Sequence, residues 1–393
     1  MRFDFLQEEL GRLRQEGRYI VTRELQSPQG PRARVDGRQV IVLCANNYLN
    51  LAAHPKVREA ARRAIEEWGV GLGCGRIVCS MTVQRELERR LAAFKHTEAA
   101  LVFQTGYDTN LSAIWTLTGP DDAVVSDELN HASIIDAIRM ARPPKRYVYP
   151  HKDMGGLEEA LRKSRADGTR RVFVITDGVF SMDGDIAPLP GIVALAERYE
   201  AYTYVDDAHG DGVLGPTGAG IAEHFGLHGR VDVEMGTLSK AFGGVGGFIA
   251  GPGTLIEYLF QRSRPFLFST GHLAPPIAAA LIAGLEVLRT EPEILHRLWD
   301  NARTFREGLR QAGFDTGGSE TPIIPVIAGE AAKATQLSRR LLEEGVFVQA
   351  FSYPVVAQGK ARVRCILSAG HTADDLAEAL DAFQRVGQEL RMI

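Results

Sequence analysis

"AYTYVDDAHG" (201–210) and, further on, "VDVEMGTLSKAFGGVGG" (231–247) both begin as short β-branched runs and end on groups able to do chemistry. The first closes on Asp206 with His209 three residues later. The second runs into a glycine-rich turn that holds Lys240, one of only eight lysines in the chain. Neither run alternates apolar and polar residues, so each reads as a strand buried on both faces rather than a half-exposed one.

Outward from this pair the same signal repeats. Strands are expected at 99–104, 122–127, 171–177 and 246–251, with helical patterns such as "GLEEALRKSRADG" and "GIVALAERYE" between several of them. Upstream, "HPKVREAARRAIEEWG" sets Val57, Ala60, Ala61, Ala64, Ile65 and Trp68 on one stripe of a helix. Strand–helix alternation of this kind predicts an α/β domain with a mostly parallel, doubly covered sheet. Past about residue 285 the order changes. A long helix, "PEILHRLWDNARTFREGLRQAG", leads to "PIIPVIAG", "GVFVQAFS" and "ARVRCILSAG", then to a closing helix. We therefore expect an N-terminal segment over 1–50, a large domain over 51–285 and a smaller α/β domain with antiparallel strands over 286–393.

The chain has 393 residues and a formal charge of −4 from 45 basic and 49 acidic side chains. That balance gives no field favouring nucleic acid. Cys44, Cys74, Cys79 and Cys365 form no C-x-x-C pair, so free thiols and no metal are expected. The N-terminus lacks an apolar signal core. The uncharged stretch from Pro265 to Leu285 is broken by Pro275 and Pro276, so a cytoplasmic protein without membrane contact is expected.

"GDGVLG" (210–215) fits G-x-G-x-x-G, but Pro216 follows at once and no helix can open inside the motif. We read it as a decoy, which weakens a nicotinamide dehydrogenase reading. Lys240 is either a lysine snorkelling from a turn or a nucleophile whose charged form is penalised by apolar surroundings. Asp206 suits a protonated pyridine nitrogen, and equally a turn; His209 equally fits a satisfied core histidine. The ordered set of strand, acid, histidine, strand and lysine favours the chemical reading.

"VDDAHGDGVLGPTGAG" followed by "GTLSKAFGGVGG" resembles the α-oxoamine synthases, pyridoxal-phosphate enzymes of the fold type I, aminotransferase-like class. "LCANNYLNLAAHP", "FQTGYDTN", "SDELNHASIIDAIR", "TDGVFSMDGDIAPL", "SRPFLFST" and "ARVRCILSAGHT" match in order over nearly the whole chain. One departure is Asn50, where the family usually has glycine, which raises the expectation of an altered turn.

The resemblance implies pyridoxal 5'-phosphate as cofactor. Lys240 matches the lysine that binds it and moves the substrate Cα proton, Asp206 the partner of the ring nitrogen, His209 the partner of the ring hydroxyl. His131 matches the histidine stacked on the ring, although alone it reads as a helix-capping loop residue. Gly106, Tyr107, Thr237 and Ser181 match cofactor contacts, and Ser269 and Thr270 match residues reaching the phosphate from the other subunit of a homodimer. Arg364, with Arg362 nearby as a possible confusion, matches the arginine for the amino-acid carboxylate, assisted by Asn46. Similarity in "NHASIIDAIR", "RSRPFLFS" and "YPVV…GKARVR" points to glycine C-acetyltransferase, joining glycine to acetyl-CoA. The alternatives are 8-amino-7-oxononanoate synthase, using L-alanine and pimeloyl-CoA with decarboxylation, one enzyme doing both, or, remotely, a non-catalytic regulatory module.

Overall fold

The computed structural model describes residues 2–15 and 19–393. Helix α1 (Asp4–Gln15) buries no residue. Strands β1 (Arg32–Val35) and β2 (Arg38–Val42) pair antiparallel around Asp36 and Gly37, both in left-handed backbone. Helices α2 (Pro55–Trp68) and α3 (Thr82–Lys95) then lead into a seven-stranded sheet. Its strands are β3 (Ala99–Phe103), β4 (Asp122–Asp127), β5 (Lys145–Tyr149), β6 (Arg171–Asp177), β7 (Tyr202–Asp206), β8 (Val233–Thr237) and β9 (Gly247–Gly251). Helices α4 (Gly106–Leu117), α5 (Ala132–Ala141), α6 (Met154–Ala166), α7 (Leu189–Arg198) and the single turn α8 (Ile221–His224) connect them.

The spatial order is β3-β9-β8-β7-β6-β4-β5. All pairings from β8 through β5 are parallel, and β9 runs antiparallel to both its neighbours. Side chains alternate between two apolar layers, as a pleat of period two requires. Val102, Val125, Val174, Val205 and Phe248 enter one core, and Leu101, Phe103, Val124, Ile175, Tyr204 and Ile249 the other. Both faces are covered, which is why these strands read as continuous apolar runs. β5 escaped the sequence reading because it is an edge strand, opening with exposed Lys145 and Arg146.

After the sheet come α9 (Gly253–Arg262), α10 (Arg264–Phe268), α11 (Pro275–Thr290) and α12 (Glu293–Gln311). Among the described residues, no helix is long and apolar enough to cross a membrane. Next come β10 (Ile323–Gly329), α13 (Ala331–Glu343), β11 (Val346–Phe347), β12 (Gln349–Phe351), β13 (Ala361–Ile366) and α14 (Ala373–Glu389). β12 and β10 flank β13 in an antiparallel sheet. The run "GVFVQAFS" divides between two sheets, because β11 leaves to pair with β2 in parallel. Ile41 and Leu43 accordingly pack with Phe305, Ile324, Val363 and Phe383, so the early ribbon shares the core of the C-terminal unit.

Candidate active site

The C-terminal ends of β3, β4, β6, β7 and β8 open on one cavity of about 280 Å3. That is where ligands bind in open α/β sheets, because the strands end together and the connections diverge. Gly106, Tyr107, His131, Asp177, Ser181, Asp206, His209, Thr237, Ser239 and Lys240 all face it. These include eight of the positions singled out from sequence.

Lys240 lies in the turn between β8 and β9. Burial holds its ammonium down, to about 8, against the opposing pull of Asp206 and Asp177. Asp206 ends β7 and is buried; Oδ1 accepts from the Ala208 N–H (3.0 Å) and Oδ2 from Asn110 Nδ2 (2.6 Å). Asn110 also donates to Ser133 Oγ (2.8 Å) and accepts from the Tyr204 hydroxyl (2.7 Å), so its amide orientation is fixed. His209 Nδ1 lies 2.8 Å from the Tyr48 hydroxyl. Burial, reinforced by Lys240 and Arg364, keeps the His209 ring neutral, well below the usual imidazole range.

His131 is the N-cap of α5: its Nδ1 accepts from the Ser133 N–H (3.3 Å). The capping role and the place in the cavity wall are therefore compatible, and burial lowers the ring's proton affinity. Thr105 caps α4 by accepting from the Asp108 N–H, which leaves the Gly106 and Tyr107 amides as the first two of the helix. Such amides have no acceptor within the helix and suit an anion. A Cβ on residue 106 would lie 2.8 Å from Thr237 Oγ1, so only glycine lets the two segments meet. Thr237 Oγ1 donates to the Gly246 carbonyl (3.1 Å) and lies 3.0 Å from Ser239 Oγ.

Two arginines of β13 are told apart by their partners. Arg362 Nη1 is engaged by Asp183 (2.5 Å) and the Met182 carbonyl (2.9 Å), and its Nε by the Lys360 carbonyl (3.0 Å). Arg364 gives one bond, from Nη1 to the Ser181 carbonyl (2.9 Å), while its guanidinium lies 4.8 Å from the Phe351 ring centre. Buried Asn46 Oδ1 has no hydrogen-bond partner among the described residues. Asn50 adopts φ 56°, left-handed backbone that asparagine tolerates almost as glycine does.

Ser269 and Thr270 stand apart from the cavity of their own chain. Ser269 Oγ donates to Gln104 Oε1 (2.8 Å), and the Thr270 carbonyl accepts from Gln104 Nε2 (3.3 Å). Four residues that contribute escaped the sequence reading. Asn110 and Tyr48 act on Asp206 and His209 from remote positions, with no local pattern to mark them. Ser239 lay unremarked beside Lys240. Asp177 pairs with Asp206 across β6 and β7 and lines the cavity, and its buried Oδ1 has no hydrogen-bond partner among the described residues. Burial, together with the neighbouring Asp206 charge, pushes its carboxyl well above the usual range.

The family model for aminotransferase class I and II matches residues 38–383. The chain is 56% identical to an 8-amino-7-oxononanoate synthase of Symbiobacterium thermophilum, covering 99% of each chain. Identity to a protein of the same name from Fervidobacterium nodosum is 52%, over 100% of this chain and 99% of that one. A solved structure of SPT (serine palmitoyltransferase) with PLP superposes with a TM-score of 0.93 at 32% identity, covering 100% and 99% of the two chains. These findings overturn the expectation of a glycine C-acetyltransferase. The motifs behind that expectation bear on chemistry that both reactions share, whereas the acyl chain is selected by pocket shape, which short motifs do not encode.

Proposed function

We propose, from the premise that this chain belongs to the aminotransferase class I and II family and within it to the α-oxoamine synthases, that it joins L-alanine to pimeloyl-CoA with release of CoA and CO2. The product of that reaction is 8-amino-7-oxononanoate. Full-length identity of 49% to 56% to proteins bearing that enzyme's name is the observation that carries the reading.

The cavity fits pyridoxal phosphate on its own chemistry. A held-down lysine, a buried carboxylate, a neutral histidine and two free helix amides beside a glycine cradle are the complement of an aldehyde, a pyridine nitrogen, a ring hydroxyl and a phosphate. Lys240 would hold the aldehyde carbon, Asp206 the ring nitrogen and His209 the hydroxyl. His131 would lie on the ring, with Ser181 at its edge. Gly106, Tyr107, Thr237 and Ser239 would hold the phosphate. Ser269 and Thr270 would reach the phosphate of a second copy's site, making a homodimer the working unit. Once bound, the cofactor supplies an electron-withdrawing ring conjugated to the substrate nitrogen.

Asp206 would present its carboxyl group to that ring, and Asn110 fixes the direction in which it points. Arg364, with most of its N–H groups uncommitted, grips the alanine carboxylate, and Asn46 supplies a neighbouring amide. Lys240 Nζ takes the Cα proton. Burial lowers the proton affinity of that amine, which favours the unprotonated form that a base needs. The Cα electron pair then forms a bond to the thioester carbonyl and CoA leaves as thiolate. Arg364 releases its grip as the carboxylate departs as CO2, and Lys240 returns a proton to Cα.

The test is CoA release by cofactor-loaded protein with L-alanine plus pimeloyl-CoA, beside glycine plus acetyl-CoA. The first pair should react and evolve one CO2 per CoA. Turnover of the second pair alone would overturn the substrate assignment. Silence with both would overturn the acyl-transfer reading.

A further inference from the structure

Away from the cavity, three donors from three segments converge on one point of the surface. His96 closes α3 as its C-cap in left-handed backbone, φ 56°. Glu223 belongs to α8, and His228 stands on the turn between Gly226 and Gly229, whose φ values are 65° and 72°. The donor atoms of all three lie within 4.8 Å of one another, and the imidazoles meet edge to face at 4.6 Å between ring centres. We propose that His96, Glu223 and His228 bind a divalent transition metal of the Zn2+ class.

The donor set suits that ion. Two imidazoles and a carboxylate occupy three positions of a tetrahedron and leave the fourth for water. Among the described residues, neither imidazole has a hydrogen-bond partner of its own. The carboxylate is already aimed. Glu223 Oε2 accepts from the Thr217 and Ala219 amides (3.0 and 2.9 Å), and Oε1 accepts from the Thr217 hydroxyl (2.6 Å). Metal-bound carboxylates are oriented by such bonds, which keep further lone pairs free. A Cβ at Gly215 would strike this carboxylate, so the surrounding turn is shaped around it.

The local field points the same way. The site caps the C-terminus of α3, where backbone carbonyls favour a cation. Directly beneath it, one ammonium, Lys95, faces three carboxylates, Asp207, Asp211 and Glu234. Ala219 joins the two groups: its N–H donates to Glu223 and its carbonyl accepts from Lys95 Nζ (2.7 Å). A metal here would therefore brace the loop that runs from His209 to α8. Access is open, because His96 and Thr217 also line a surface groove of about 1030 Å3 between α2, α3 and α11. Modest rotation of two exposed rings closes 4.8 Å to the separation that bonds of about 2.0–2.2 Å to zinc require.

The experiment uses holoenzyme cleared of metals by a chelator, then titrated with Zn2+ alone. The Cys74→Ser/Cys79→Ser background removes two neighbouring thiols, 3.0 Å apart, that could compete for zinc. One Zn2+ should bind per chain and raise the melting temperature. His96→Asn, which tolerates the left-handed backbone, and His228→Ala should each weaken binding at least tenfold and abolish the thermal shift. Zinc binding unchanged by both substitutions, or no binding at micromolar Zn2+, would overturn the proposal.

Discussion

Lys95, which ends α3, and Lys240, in the turn between β8 and β9, have opposite fates. Lys95 is buried, and burial alone would strip its proton, but Asp211 (2.6 Å), Glu234 (3.0 Å) and Asp207 (3.4 Å) hold its charge well above the ordinary range. Among the described residues, no carboxylate lies within ion-pair distance of Lys240. The fields of Asp206 and Asp177 reach it without offsetting its desolvation, so it falls to about 8. Burial makes a nucleophile only where the surroundings leave the charge unmatched. Where they match it, the same side chain becomes a cross-link. The carboxylates around Lys95 are affected in turn: burial pushes Asp207 up to about 6 and raises Asp211 well above the usual carboxylate range.

The largest expected effect separates the two lysines outright. Lys240→Ala should cut CoA release by about three orders of magnitude or more, since it removes both the anchor and the base. Borohydride treatment of holoenzyme should attach the cofactor to the peptide containing residue 240 and never to the one containing residue 95. Attachment at residue 95 would dissolve the contrast.

Next in size is a loss of stability rather than chemistry. Lys95→Met strands buried carboxylates and should cost about 3–5 kcal/mol in urea unfolding. Adding Asp211→Asn should recover part of that cost. A Lys95→Met protein as stable as the parent would show that the cluster is not matched in the way described.

The smallest effect is a pH window. Lys240 is depressed below its ordinary 10.5, so between about pH 8 and 10.5 the unfolded chain binds more protons than the folded one. Stability of the cofactor-free protein should therefore rise with pH across that window. Lys240→Met should remove the rise and be more stable than the parent at pH 7, by about 1–2 kcal/mol after allowing for the partly open cavity. A flat difference between the two proteins from pH 7 to 10.5 would contradict the held-down amine.

The parts legible in sequence were those written locally. β4 and β6 announce themselves as β-branched runs, and Asp206, His209 and Lys240 sit at fixed offsets from strand ends. What stayed hidden depends on contacts between distant segments. Asn110 reaches Asp206 from 96 residues away, and Lys95 reaches Asp211 from 116. Tyr48 finds His209 across 161. In a sequence, Lys95 is an unremarkable last-turn helix residue with a basic charge in a favourable place. Only the fold shows that its helix ends against three acids. Substrate choice was hidden for a related reason, since it follows from the shape of a space and not from the residues of one motif.

The turn that carries Lys240 also differs in kind from the other connections around the cavity. It joins adjacent antiparallel strands, β8 and β9, whereas its neighbours lead into helices. The Leu238 amide donates to the Gly246 carbonyl (2.9 Å) and the Gly244 amide returns to the Leu238 carbonyl (3.0 Å). Gly243, in left-handed backbone, abuts the chain at Ala52 so closely that no side chain could be added there. The amine's backbone is therefore stapled at both ends within a few residues. Its conformational entropy is lost when the sheet forms, before any ligand arrives, so arrival of a substrate need not organise the base that will act on it.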